Sequence, residues 1–66
     1  MKIRVEKCWS GGDSFSRRVT ILTGPHKGER ETFQLDENET DRATATRIRD
    51  RLVRDYGANR NSIKTV

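Results

Sequence analysis

The chain has 66 residues, a length that supports one small core and excludes a second domain. Hydrophobic residues make up 30% of the sequence and charged residues 36%, so folding depends on the regular spacing of a few apolar side chains. Fourteen Lys and Arg against ten Asp and Glu give a net charge of +4. This excess of positive charge favours an anionic partner.

The single cysteine, Cys8, excludes an internal disulfide, and the sequence has no Cys/His spacing typical of a metal site. No segment resembles the apolar core of a signal peptide or a membrane-spanning helix. We therefore expect a cytoplasmic protein with no cofactor, no metal and no membrane partner. Because a chain this short without disulfides or metals has a thin core, we also expect self-association as a homodimer.

Alternating apolar and polar residues predict three strands, at 1–9, 15–23 and 29–35. Turns rich in glycine are predicted between them at 10–14 and 24–28. In each strand one face is predicted to enter the core. The predicted inward residues are Met1, Ile3, Val5, Trp9, Phe15, Val19, Ile21, Phe33 and Leu35. The predicted outward residues are Lys2, Arg4, Glu6, Cys8, Ser16, Arg18, Thr20, Arg30, Thr32 and Gln34.

A helix is predicted over 37–56, with Asp36 and Glu39 in the positions of a capping box and Gly57 as the C-cap. Its apolar stripe is predicted to contain Ala45, Ile48, Leu52, Val53 and Tyr56. The last residues contain Ile63 and Val66, and we predict a short fourth strand there, with a loose tail as the alternative.

These elements predict one α+β domain over residues 1–66, in the order β-β-β-α-(β), with the helix covering one face of an antiparallel sheet. The opposite face then meets water or a partner. Three strands followed by a helix resembles, in topology, the small DNA-binding domains at the amino end of some tyrosine integrases. That resemblance implies contact with DNA through the sheet.

Basic residues supply the candidate nucleic-acid site. Lys2, Arg4, Arg18 and Arg30 are predicted on the uncovered sheet face, where Arg and Lys can bind phosphates. Arg47, Arg51 and Arg54 have the i, i+4, i+7 spacing of one helix face, which we predict to point away from the sheet. The alternative interpretation is that both sets of charges only keep the surface soluble.

A second resemblance concerns residues 19–28, where a hydrophobic strand runs into Gly-Pro-His-Lys-Gly. This segment is similar to a fragment of the KOW motif, which lies on an RNA-binding loop. The family pattern continues with a further glycine and a small barrel, whereas this chain continues with Glu31, Thr32 and a predicted helix. We interpret the segment as a turn with a similar composition.

No pattern indicates catalysis, because His26 is the sole histidine and has no nucleophile spaced with it. The leading hypothesis is a small basic accessory protein that binds DNA or RNA through its sheet face and helix arginines. The alternative is a protein-binding module, such as a small inhibitor or adaptor of viral or mobile-element type. That module would use the exposed sheet edge and Trp9.

Overall fold

The computed structural model describes residues 1–9, 15–35 and 38–66. These residues form an α+β fold, as predicted. The chain order is β1 (Lys2–Trp9), β2 (Phe15–Ile21), β3 (Arg30–Gln34), α1 (Asp41–Tyr56), a 3-10 turn (Arg60–Ser62) and β4 (Lys64–Thr65). The sheet order is β3-β2-β1-β4. The pairs β1–β2 and β2–β3 are antiparallel, and β4 is parallel to β1.

The alternation of side chains along the strands produces the two faces that the sequence predicts. Ile3 pairs with Ile21 and Val5 with Val19, so apolar side chains meet on one face. Ile3, Val19 and Ile21 are buried. The predicted turn at 10–14 lies outside the described residues, as do the side chains of Trp9 and Phe15, whose backbones are paired at the end of the β1–β2 ladder.

Two residues of the sheet differ in burial from the prediction. Ser16 lies on the face opposite the helix, as predicted, yet it is only 2% exposed. Its short side chain lies in the central strand between Cys8 and Gln34, and its hydroxyl donates to the Cys8 carbonyl at 3.5 Å. Leu35 was expected in the core, but it follows the end of β3 and is half-buried.

The helix packs on the sheet through Thr44, Ile48 and Leu52. Residues four apart drift slowly around a helix and so share one face, whereas the next residue is about 100° away. Val53, predicted in the stripe, is accordingly 37% exposed, and that prediction is wrong. Ile48 and Leu52 join the sheet residues and Ile63 in the core.

The helix begins at Asp41, four residues later than predicted, because Thr40 provides the N-cap. The Thr40 hydroxyl accepts a hydrogen bond from the Ala43 N–H at 3.1 Å. Glu39 therefore precedes the N-cap residue and cannot be the N3 residue of a capping box, so that part of the prediction is wrong. Asp36 lies outside the described residues. The predicted C-cap is confirmed, since Gly57 has φ 65° and its N–H donates to the Val53 carbonyl at 3.0 Å.

The helix carries the chain from β3, at one edge of the sheet, to β4 at the other edge. There the Lys64 N–H donates to the Met1 carbonyl and the Val66 N–H to the Ile3 carbonyl, both at 2.9 Å. The predicted fourth strand is thus confirmed. Among the described residues no helix has the length and apolar composition needed to cross a lipid bilayer.

Candidate nucleic-acid interface

The sheet face opposite the helix, called here the open face, consists of the even-numbered strand residues. Its members are Lys2, Arg4, Glu6, Cys8, Ser16, Arg18, Thr20, Arg30, Thr32, Gln34 and Lys64. Five of these side chains are basic and one is acidic, and all six charged side chains are exposed. The open face therefore concentrates positive charge, and the four basic residues predicted on it lie together.

Lys64 is the basic residue that the sequence analysis missed. It pairs with Lys2 in the parallel β1–β4 ladder and so extends the open face by one strand. The alternation of Ile63, Lys64 and Thr65 was a usable signal for its orientation. Its position beside Lys2 depends on the return of the chain after α1, which local pattern does not encode.

The basic residues are distributed over the whole open face. Arg4, Thr20 and Arg30 form one row across three strands, and Arg18 lies in the next row between Glu6 and Thr32. Four strands separated by about 4.8 Å give a face about 14 Å wide. That width is close to the roughly 12 Å of a major groove, so several cations of the face can reach phosphates of one duplex at once.

Acidic residues are paired away from the open face. Asp41 lies 3.7 Å from the Arg17 guanidinium and Glu39 lies 3.4 Å from that of Arg47. Asp50 pairs with Arg60 and Asp55 with Arg54, and a Glu29 carboxylate oxygen lies 2.6 Å from His26 Nδ1. Among the described residues none of the five open-face cations has an ion-pair partner within 4.0 Å. Among the described acidic residues, the fold thus leaves one, Glu6, among the five cations of the open face.

The helix arginines are not one solvent-facing stripe, and the prediction that all three point away from the sheet is wrong. Arg47 donates to the Gln34 carbonyl at the end of β3 and pairs with Glu39. The Arg51 guanidinium lies over the Phe33 ring, 5.4 Å from its centroid. Only the Arg54 side chain is largely exposed, at 70%, and it bonds Asp55. Arg47 and Arg51 therefore join α1 to β3.

Glu31 lies on the helix side of β3, in register with Val19. Burial raises the pKa of its carboxyl, and the neighbouring Asp55 raises that pKa further. One carboxylate oxygen, Oε2, is buried without a hydrogen-bond partner among the described residues. The hydrogen bond from Arg54 lowers the pKa of Asp55, so this second carboxylate keeps its charge beside the first. Two acids in contact leave Glu31 poorly solvated when it is ionised.

Glu31→Gln is expected to raise the melting temperature at neutral pH, because an amide can donate to Asp55 and carries no charge to desolvate. We expect a gain of about 2 °C, since solvent screens a pair this exposed. The native pKa of Glu31 is raised above 4.5, so its ionised form is disfavoured by folding. This penalty on the native state is lost as the pH falls from the native pKa toward 4.5, the ordinary value, so the gain should disappear below about pH 4.5.

The measurement is thermal melting at several pH values, with Glu6→Gln on the open face as the control. The control removes the same charge from an exposed position and should bring no gain. Equal gains for Glu31→Gln on both sides of the titration, or a loss of stability at neutral pH, would show that Glu31 is not strained by its surroundings.

His26 and Cys8 each contact neighbouring groups of the protein. His26 Nδ1 lies 2.6 Å from a Glu29 carboxylate oxygen, and its ring packs 4.7 Å from that of Tyr56. The Cys8 Sγ is 4.0 Å from the Glu6 carbonyl oxygen on the same strand. Trp9, predicted as a protein contact, has its side chain outside the described set, so that role stays a prediction.

No group of three or more His, Cys, Asp or Glu side chains converges on a metal-sized site within the described residues. Comparison of the chain with models of known protein families, with curated proteins and with solved structures finds no match. The geometry and charge of the open face are therefore the features that bear on function.

Proposed function

We propose that this protein binds nucleic acid through its open face, mainly by contacts between basic side chains and phosphates. The observation that supports the proposal is the distribution of charge: five exposed cations share a face with one acid, whereas Glu39, Asp41, Asp50 and Asp55 pair with arginines away from that face. Phosphate contacts supply most non-specific affinity and position a protein on a duplex.

The composition of the open face also favours double-stranded over single-stranded nucleic acid. Its positions contain no aromatic residue, and aromatic side chains are what stack on the bases of single strands. Thr20, Thr32 and Gln34 add neutral hydrogen-bonding groups between the cations. We therefore propose a double-stranded ligand bound with little dependence on base sequence.

The helix contributes less in this proposal than the sequence suggests. Arg47 and Arg51 have partners within the protein, and using them on phosphate would cost those contacts. Arg54 remains as a peripheral contact, because it is largely exposed near the C-terminal end of α1. The open face alone accounts for five of the proposed phosphate contacts.

Fluorescence anisotropy with labelled duplex DNA, duplex RNA and a single strand of equal length tests the proposal. If five cations contact phosphates of B-DNA, the logarithm of affinity should fall with the logarithm of salt concentration with a slope of about −4.5. Duplexes of different base sequence should bind with similar affinity. Absence of binding to all three ligands at low salt would overturn the proposal.

A further inference from the structure

The edge of the sheet beyond β4 offers a separate binding site. β4 pairs only with Lys2 and Ile3, whereas β1 continues to Trp9. The Ile3 carbonyl accepts from the Val66 N–H, so the odd-numbered residues of β1 direct their backbone groups toward this edge. In the described part of the chain no backbone group bonds Val5 or Lys7 on this side. An unpaired edge of this kind can receive another strand.

A groove of about 260 Å³ runs beside this unpaired edge of β1, between β1 and the first half of α1. Val5, Ala45 and Ile48 provide apolar lining. A small-molecule pocket usually has about 300–1,000 Å³, so this groove better suits one or two side chains. A strand added to β1 would place alternate side chains over the groove, because side chains of a strand alternate between the two faces.

The rim of the groove is basic. Lys7, Arg17 and Arg49 line it together with one acid, Asp41, which lies 3.7 Å from Arg17. Lys7 is exposed, and neither Lys7 nor Arg49 has an ion-pair partner among the described residues. An incoming segment with acidic side chains would match these charges, whereas a basic segment would be repelled.

We propose that the β1 edge at Val5 and Lys7 binds an extended acidic peptide segment of a partner protein as an added strand, with an apolar side chain of the segment in the groove. The backbone of Val5 and Lys7 supplies hydrogen bonds, and Lys7 and Arg49 attract the acidic side chains. This site faces the helix side of the sheet edge, so it is distinct from the open face used for nucleic acid.

A second copy of the chain fits this edge less well than an acidic peptide. The two-fold antiparallel registers that bond both Val5 and Lys7 within β1 are centred on Glu6 or on Lys7. The first places Glu6 opposite its own copy and the second does the same for Lys7, and like charges directly opposite each other destabilise a sheet. Two copies also each carry a net charge of +4.

The test is titration of the isotope-labelled protein, followed by amide NMR, with a synthetic peptide of about seven residues, Glu-Thr-Val-Thr-Glu-Thr-Val, whose alternate positions place glutamate and valine on the same face of the strand. We expect shifts at Val5, Lys7, Ala45 and Arg49 and little change at Arg18 and Arg30. A peptide with lysine in place of glutamate should not bind. A glutamate peptide methylated at alternate backbone nitrogens should lose binding, because it cannot complete the strand ladder.

Lys7→Glu and Lys2→Glu form a matched pair, since they change the net charge equally on opposite faces of β1. Lys7→Glu should weaken the peptide by about fivefold or more, and Lys2→Glu should change it by less than about twofold. Lys2→Glu should instead weaken duplex binding, so failure of this site is distinguishable from failure of the open face. The proposal would be overturned if the methylated peptide bound as well as the unmethylated one, or if the shifts were confined to the open face. It would also be overturned if the β1 edge shifted with protein concentration in the absence of peptide, because that would indicate self-association.

Discussion

Leu52→Asp is expected to leave the protein unfolded at room temperature. Leu52 is fully buried, at 0% exposed, in a core of seven buried apolar residues among those described. Truncation of a buried leucine to alanine already costs about 2–5 kcal/mol, and an unpaired buried carboxylate adds a further penalty. A domain of this size has only about 5 kcal/mol of stability to lose.

Far-UV circular dichroism and thermal melting measure this effect, and Val53→Asp is the matched control. Val53 is the next residue of the same helix but is 37% exposed, so aspartate there adds the same charge to the helix without placing it in the core. The control should keep a cooperative melt close to that of the wild type. A Leu52→Asp protein that melts within a few degrees of the wild type would contradict the packing of α1 on the sheet.

Replacing Arg4, Arg18 and Arg30 with glutamine is expected to remove most duplex binding. Each of the three is exposed on the open face, so the change removes phosphate contacts while leaving the core untouched. The salt slope should become shallower by about three units, one for each lost contact. At low salt we expect affinity to fall on the order of a hundredfold.

The matched control replaces Lys27, Arg42 and Arg60, three exposed cations that lie outside the open face, with glutamine. It lowers the net charge by the same amount but leaves the open face intact. Anisotropy with the same labelled duplex should show a much smaller loss for this triple variant. Equal losses for the two variants would mean that net charge, and not the arrangement of cations on the open face, governs binding.

The homodimer predicted from the thin core stays a prediction. Sedimentation of the protein at micromolar concentration measures it directly. A species of 7.6 kDa across the concentration range would exclude dimerisation, whereas a species of about twice that mass would confirm it.

The strands and the residues of the open face could be predicted from the sequence, because both depend on the local alternation of apolar and polar side chains. Lys2, Arg4 and Arg18 alternate with Ile3, Val5 and Val19, and a period of two assigns each to a face whatever the rest of the chain does. The helix interior and its Gly57 cap were predictable for a similar reason, since a 3.6-residue period and a left-handed terminus involve only neighbouring residues. These features follow from the sequence by itself.

Contacts between distant residues were decided only by the tertiary structure. Arg47 and Arg51 were predicted in solvent from their spacing, but the approach of α1 to β3 places them against Gln34 and Phe33, and that approach depends on how the helix lies on the sheet. Lys64 joins the open face only because β4 returns beside β1. Among the described residues β4 pairs with Lys2 and Ile3, so the edge of β1 at Val5 and Lys7 that faces away from β2 has no partner strand. Local periodicity assigns a side chain to one face of its own element, whereas the neighbours on that face come from segments dozens of residues away.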